Sequence, residues 1–159
     1  MKINLKDILG SIGATLELED DFSIEEISIQ SRKILFPYPP RVKISLTNTK
    51  DDILIQGSIS GQVDLACTRC LEIFRWSFVR EITETYAKKE LNLEENSVLD
   101  ISPEIYQHLV LSVPMQSICQ ENCQGLCPGC GNNLNRVKCE CEQEAIDPRW
   151  EKLRQYLEK

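Results

Sequence analysis

Six of the chain's eight cysteines crowd into one stretch, CQENCQGLCPGCGNNLNRVKCEC, which runs from Cys119 to Cys141. The other two, Cys67 and Cys70, stand far upstream in ACTRCLEIF. Such a set forces a choice among disulfides, redox chemistry and metal, and each choice implies a different fold. The opening MKINLKDILGSIGATLELEDD has no long apolar core and turns acidic early, so it does not read as a signal peptide. No run has the apolar length of a membrane span. The expectation is a cytoplasmic protein with reduced thiols, which disfavours disulfides.

Metal is the better reading. Zinc takes four donors at tetrahedral corners, and a Cys-x-x-Cys turn supplies two of them from one bend of backbone. Cys127-Pro-Gly-Cys130-Gly is such a turn: the proline presets it, and the glycines let amides point at the sulfurs. With Cys139-Glu-Cys141 a short loop further on, Cys127, Cys130, Cys139 and Cys141 make a compact four-thiolate set. Cys67-Thr-Arg-Cys70 is a second knuckle at a strand-to-strand turn. Pairing it with the leftover Cys119 and Cys123 would staple the β-region to the cysteine-rich module. Two other arrangements stay open: the two knuckles share one zinc, or one set is filled and the other cysteines are simply buried.

A closed four-thiolate site leaves no coordination position for water or substrate, so its zinc reads as structural. The sole histidine, His108, sits in a helical stretch without a ligand-spaced partner and reads as an ordinary helix residue. A thioredoxin-like role fails on context, because that motif opens a helix within a βαβ unit. There is no P-loop, no G-x-G-x-x-G and no serine-nucleophile motif. The expectation is a protein that is not an enzyme and has no small-molecule substrate.

At 159 residues, 42 % apolar, the chain can bury one ordinary core with a small annex. Alternation of Val42, Ile44 and Leu46, then Ile53, Ile55 and Ile59, then Val63, Leu65 and Cys67, predicts half-buried strands joined by TKDD and by the CTRC turn. A long β-rich run, EIFRWSFVREITETYA, follows, with Phe74, Trp76 and Phe78 alternating inward. LFPYPPR reads as an edge or crossing loop. Residues 89–100 look like a charged, exposed linker. A helix is expected next, with Ser102 as its cap, Pro103 first inside it, and Ile105 and Leu109 on its apolar face, ending at Pro114. A last helix begins at Asp147 and Pro148, with Trp150, Leu153 and Leu157 on one face. The expected class is α+β: a β-rich domain over 1–96, as an antiparallel meander or barrel-like sheet, a linking helix over 97–118, and a cysteine-rich zinc module with the C-terminal helix over 119–159, packed as one unit.

The formal net charge of −7 argues against coating nucleic acid by bulk electrostatics. Local contacts remain open to Arg69, inside the first knuckle, and to Arg75 and Arg80 beyond it; Trp150 is a candidate docking residue.

With these residues assembled, the chain resembles the YceD family. The resemblance is carried by CTRCLEIF after a β-region, by ENCQGLCPGCGNNLNRVKCEC, by the terminal DPRWEKLRQYL and by the opening MKINLKDIL, in that family's order along essentially the whole chain. It implies a role in accumulation of large-subunit 23S ribosomal RNA, through its synthesis, processing or stability, with a large-subunit ribosomal protein or precursor 23S rRNA as partner. Some family members lack several of the downstream cysteines, which implies that the CPGC and CEC elements stabilise this branch. No catalytic residue is carried over; the alternative expectation is an RNA-processing enzyme or a direct, sequence-tolerant RNA-binding protein.

Overall fold

The computed structural model describes residues 1–29, 32–91 and 97–141, with Arg32 and Glu90 described by their backbone. In chain order the elements are β1 (Lys2–Asn4), α1 (Lys6–Leu9), β2 (Thr15–Asp21), β3 (Glu26–Ile29), β4 (Arg32–Leu35), β5 (Arg41–Asn48), β6 (Asp52–Ala66), β7 (Ile73–Ala87), β8 (Val98–Asp100) and α2 (Ser102–Ser112). The described residues divide into two compact units: Met1–Leu65 with Ile73–Ser117, and Ala66–Glu72 with the residues from Ile118 onward.

The first unit is built on β6. Alternation of apolar residues from Ile53 to Leu65 keeps one face of this long strand in the core. β5 pairs with its first half, Val42 opposite Ile59 and Leu46 opposite Ile55, so the apolar sets of both strands share a face. β2 extends the sheet beyond β5, β4 meets β6 at Leu35 and Asp64, and β3 pairs with β4; β7 also pairs with β6. The result is an open antiparallel sheet with a branch at β6, so the barrel-like alternative is corrected: among the described residues its outer strands, β2 and β3, do not pair with each other. The Phe78 ring on β7 lies over Gly61 on β6. Gly57 is required by close approach, since a Cβ there would lie 2.0 Å from the Lys43 carbonyl oxygen.

Three expectations shift locally. The stretch 89–100 is not wholly a linker: Val98–Asp100 pairs with Lys2–Asn4 and buries Leu99 beside Ile3. One buried residue in a three-residue strand leaves no periodicity to read. The helix α2 spans Ser102–Ser112 as its apolar stripe predicts, with Ile105 and Leu109 buried, and it stops before Pro114, whose ring excludes helical geometry at Val113. Ser102 is not its cap, however: the cap position is Ile101, and Ser102 is the first helical residue, its amide (3.0 Å) and hydroxyl (2.6 Å) donating to the Asp100 carboxylate. These bonds, the hydroxyl's foremost, hold the Asp100 carboxyl down at about 2. Trp76 is the third: it is 40 % exposed, whereas Phe78 is buried as expected. The predicted C-terminal helix lies outside the described residues.

Asn48 ties the short N-terminal helix to the sheet. It is 1 % exposed at the end of β5, and its side-chain amide donates to the carbonyls of Ile8 (2.7 Å), Leu9 (3.3 Å) and Ser11 (2.9 Å). The first two are carbonyls that a four-residue helix cannot satisfy within itself, and the third belongs to the turn that follows it. Asn48→Ala removes all three donated bonds from a buried site, so we expect a loss of about 2 kcal/mol, read by urea unfolding of the full chain. Asn48→Asp, which points an acceptor at three acceptors, should cost at least as much.

Candidate metal centres

The second unit is assembled from two turns of the same construction. In the first, the Cys67 amide donates to Glu72 O at 2.8 Å and the Leu71 amide to Cys67 O at 3.0 Å. In the second, the Cys127 amide donates to Asn132 O at 2.8 Å and the Gly131 amide to Cys127 O at 2.8 Å. Each turn closes through a left-handed residue directly after its second cysteine, Leu71 at φ 62° and Gly131 at φ 73°. Glycine adopts that conformation freely; leucine is strained in it by about 1–2 kcal/mol.

Each turn delivers two sulfurs to a four-cysteine set. Cys67, Cys70, Cys119 and Cys123 form one, and Cys127, Cys130, Cys139 and Cys141 the other; within each, all four sulfurs lie within 4.8 Å of one another. Cys67 Sγ and Cys123 Sγ are 3.8 Å apart, and Cys70 Sγ and Cys119 Sγ 3.7 Å. A tetrahedron with metal–sulfur bonds of about 2.3 Å has edges of about 3.8 Å, so these spacings fit four ligands around one ion. All eight cysteines are free thiols.

Amides make the sulfurs receptive to a cation. The amides of Arg69 (3.4 Å) and Cys119 (3.5 Å) point at Cys67 Sγ. Burial pushes the Cys67 thiol up, but the amides of Cys70, Cys119 and Arg69 outweigh it and bring it down to about 6. Cys127 is lowered to about 6 by the Cys130 amide, the Cys139 side chain and the Gly129 amide. Other thiols in each set are pushed the opposite way. Burial and then the neighbouring sulfurs push Cys119 up to about 12; Cys130 and Cys127 beside it push Cys141 up to about 12. Four thiolates cannot coexist at this spacing without a cation, and the donor set suits a soft divalent ion. The two sets differ in cover: Cys67, Cys70 and Cys123 are buried, while in the other only Cys127 is buried and Cys130 is exposed.

The loops around the sulfurs interlock. Leu126 N donates to Arg69 O at 3.1 Å, Leu134 N to Gly125 O at 2.9 Å, and Arg136 pairs with Glu72 at 2.5 Å. Sequence reading missed Leu71 and Asn135. The Asn135 amide group donates to Cys123 Sγ at 3.4 Å and to Asn133 Oδ1 at 2.8 Å, and its carbonyl oxygen accepts from Gln124 N at 2.8 Å. It thus links the loop between one pair of ligands to a ligand of the other set. The asparagine run NNLN between ligand pairs was the available signal.

The candidate contact residues fare differently. Arg69 donates from Nη1 to Cys123 O at 3.1 Å, so its guanidinium braces the knuckle. Arg75 makes a two-point pair with Asp64 (2.9 and 3.1 Å) and lies over the Tyr38 ring. Arg80 is exposed and has no ion-pair partner among the described residues; Trp150 lies outside them. His108 Nε2 is bonded to Glu84 at 2.9 Å. Among the described residues no helix is long and apolar enough to cross a membrane.

A model of the family described as large ribosomal RNA subunit accumulation protein YceD matches residues 55–156. The chain belongs to the YceD family. The match includes both cysteine sets. An uncharacterized protein of Mycobacterium tuberculosis is 26 % identical over 91 % of this chain and 75 % of its own length. The uncharacterized protein YlbN of Bacillus subtilis is 24 % identical over 90 % of this chain and 88 % of its own. The Arabidopsis thaliana chloroplastic protein named large ribosomal RNA subunit accumulation protein YCED homolog 1 is 41 % identical over 31 % of this chain and 15 % of its own. No solved structure matches.

Leu71→Gly should relieve the left-handed strain and raise the stability of the full chain by about 1 kcal/mol, because little leucine surface is buried there. Gly131→Ala should lower it by about the same amount. Paired denaturant titrations check both signs.

Proposed function

We propose that the chain is a non-catalytic factor supporting accumulation of large-subunit ribosomal RNA, acting by docking a basic large-subunit protein and held in shape by two structural zinc ions. The observation that carries this reading is the family match, which spans both cysteine sets. The acidic balance of the chain favours a basic protein as partner over naked RNA. Each set commits all four donors to one ion, which leaves no open position for substrate. Zinc is the ion this all-thiol, tetrahedral donor set favours. Direct contact with precursor rRNA is the second reading; it draws on the exposed Trp76 and Arg80 on β7.

Ultraviolet crosslinking of the tagged chain in cells, with denaturing purification, separates the two. Co-purifying large-subunit proteins without discrete RNA crosslinks are expected; discrete crosslinks in precursor large-subunit rRNA would replace the protein partner with RNA. For the metal, elemental analysis should find two zinc ions per chain, and a strong chelator should melt the cysteine unit, read by circular dichroism. Melts that chelator leaves unchanged would overturn it. Loading must displace protons from Cys119 and Cys141, and below about pH 6 Cys67 and Cys127 protonate as well. Zinc retention in competition with a chelator should therefore fall steadily with decreasing pH and steepen below about 6.

A further inference from the structure

The outer edge of β2 is an open strand edge with a readable partner specificity. Hydrogen bonds from Phe22 N to Pro40 O (2.8 Å) and from Asn48 N to Ala14 O (2.9 Å) flank the β2–β5 ladder. They fix the even-numbered residues as those bonded to β5, since bonded and non-bonded pairs alternate in an antiparallel ladder. Thr15, Glu17, Glu19 and Asp21 therefore direct their amides and carbonyls away from β5. Among the described residues no strand pairs with that edge. The Asp21 amide is already held by the Asp20 carboxylate at 2.8 Å, which leaves Thr15, Glu17 and Glu19 available.

The two faces of the edge differ. Leu16 and Leu18 turn toward the core and are only half-buried. Glu17 and Glu19 turn to the polar face, where with Lys43, Ser45, Gln56 and Ser58 they line an open groove of about 420 Å³. Glu19 is paired with Lys43 (3.1 Å) and Arg41 (3.3 Å); Glu17 has no cation partner among the described residues. β2 itself carries four carboxylates and no cation.

The geometry points to strand addition: β2 takes up an extended basic segment of a protein partner, alternating apolar residues with lysine or arginine. Its backbone pairs with Thr15, Glu17 and Glu19, its apolar residues cover Leu16 and Leu18, and its cations lie along Glu17 and into the groove. Nucleic acid is repelled by the same carboxylates. The partner's chemistry rests on the protein-docking reading above. Charge on an edge strand also keeps copies of a chain from pairing with one another. That role needs neither the half-covered leucines nor an alternating partner, and the test separates the two.

The probe is an acetylated peptide of about ten residues alternating lysine and valine, a length that covers a β2-sized edge. It is added to the full zinc-loaded chain and followed by amide hydrogen exchange. The amides of Thr15, Glu17 and Glu19 should slow by about tenfold or more, with the rest of the sheet unchanged. Glu17→Pro removes an edge-facing amide that the β5 ladder does not use, so the fold is retained and the protection lost. Glu17→Lys, with no backbone change, should weaken binding by about tenfold and serves if the proline variant fails to fold. Protection elsewhere, none at all, equal binding of a lysine–serine peptide, or undiminished binding by both variants overturns the proposal. In cells, persistence of large-subunit association with Glu17→Pro would overturn the edge alone; absence of that association in the unaltered chain would overturn the protein-docking reading.

Discussion

Sulfur crowding is the constraint on which the cysteine unit depends. Two groups of four thiols are each held within 4.8 Å, too close to ionise together and too far apart to be disulfide-bonded. Backbone amides lower one sulfur of each group, while burial and then the neighbouring sulfurs raise Cys119, and Cys130 and Cys127 raise Cys141. Such an arrangement is costly without a cation and strongly stabilised by one. Among its described residues the unit buries few large apolar side chains, so an ion held by each set would supply free energy that a core supplies elsewhere. The first unit works by the opposite means: its sheet is held by the alternation that runs through β5 and β6, and the deeply buried amide of Asn48 holds carbonyls of the N-terminal helix and the turn after it.

Where period and spacing carried information, the sequence was a good guide. β5 and β6 follow from Val42, Ile44 and Leu46 and from the isoleucines at 53, 55 and 59, because a half-buried strand permits few other patterns. The knuckles are legible from Cys-x-x-Cys, and the structure brings the leftover Cys119 and Cys123 to the first of them. Elements that depend on contacts remote in sequence were not legible. β8 is a strand only because β1 lies beside it. Trp76 has the parity of Phe78 yet is exposed, since alternation gives the face of a strand and not how far the core extends along it. Arg69 looked like a free cation because its acceptor, Cys123 O, lies 54 positions away. Leu71 gave no warning at all, as nothing in its type announces a left-handed backbone.

The cysteine unit is discontinuous in the chain: residues 66–72 are inserted between two strands of the other unit, and the rest begins at 118. This has an evolutionary consequence. Truncation that removed the downstream cysteines would strand Cys67 and Cys70 at the end of a long hairpin, with Leu71 left in its left-handed turn. Loss has to proceed in matched steps, each removing a knuckle together with the pair that completes its tetrahedron. The set completed by Cys139 and Cys141 is contiguous, and it can disappear in a single deletion that leaves the upstream set its full complement of sulfurs.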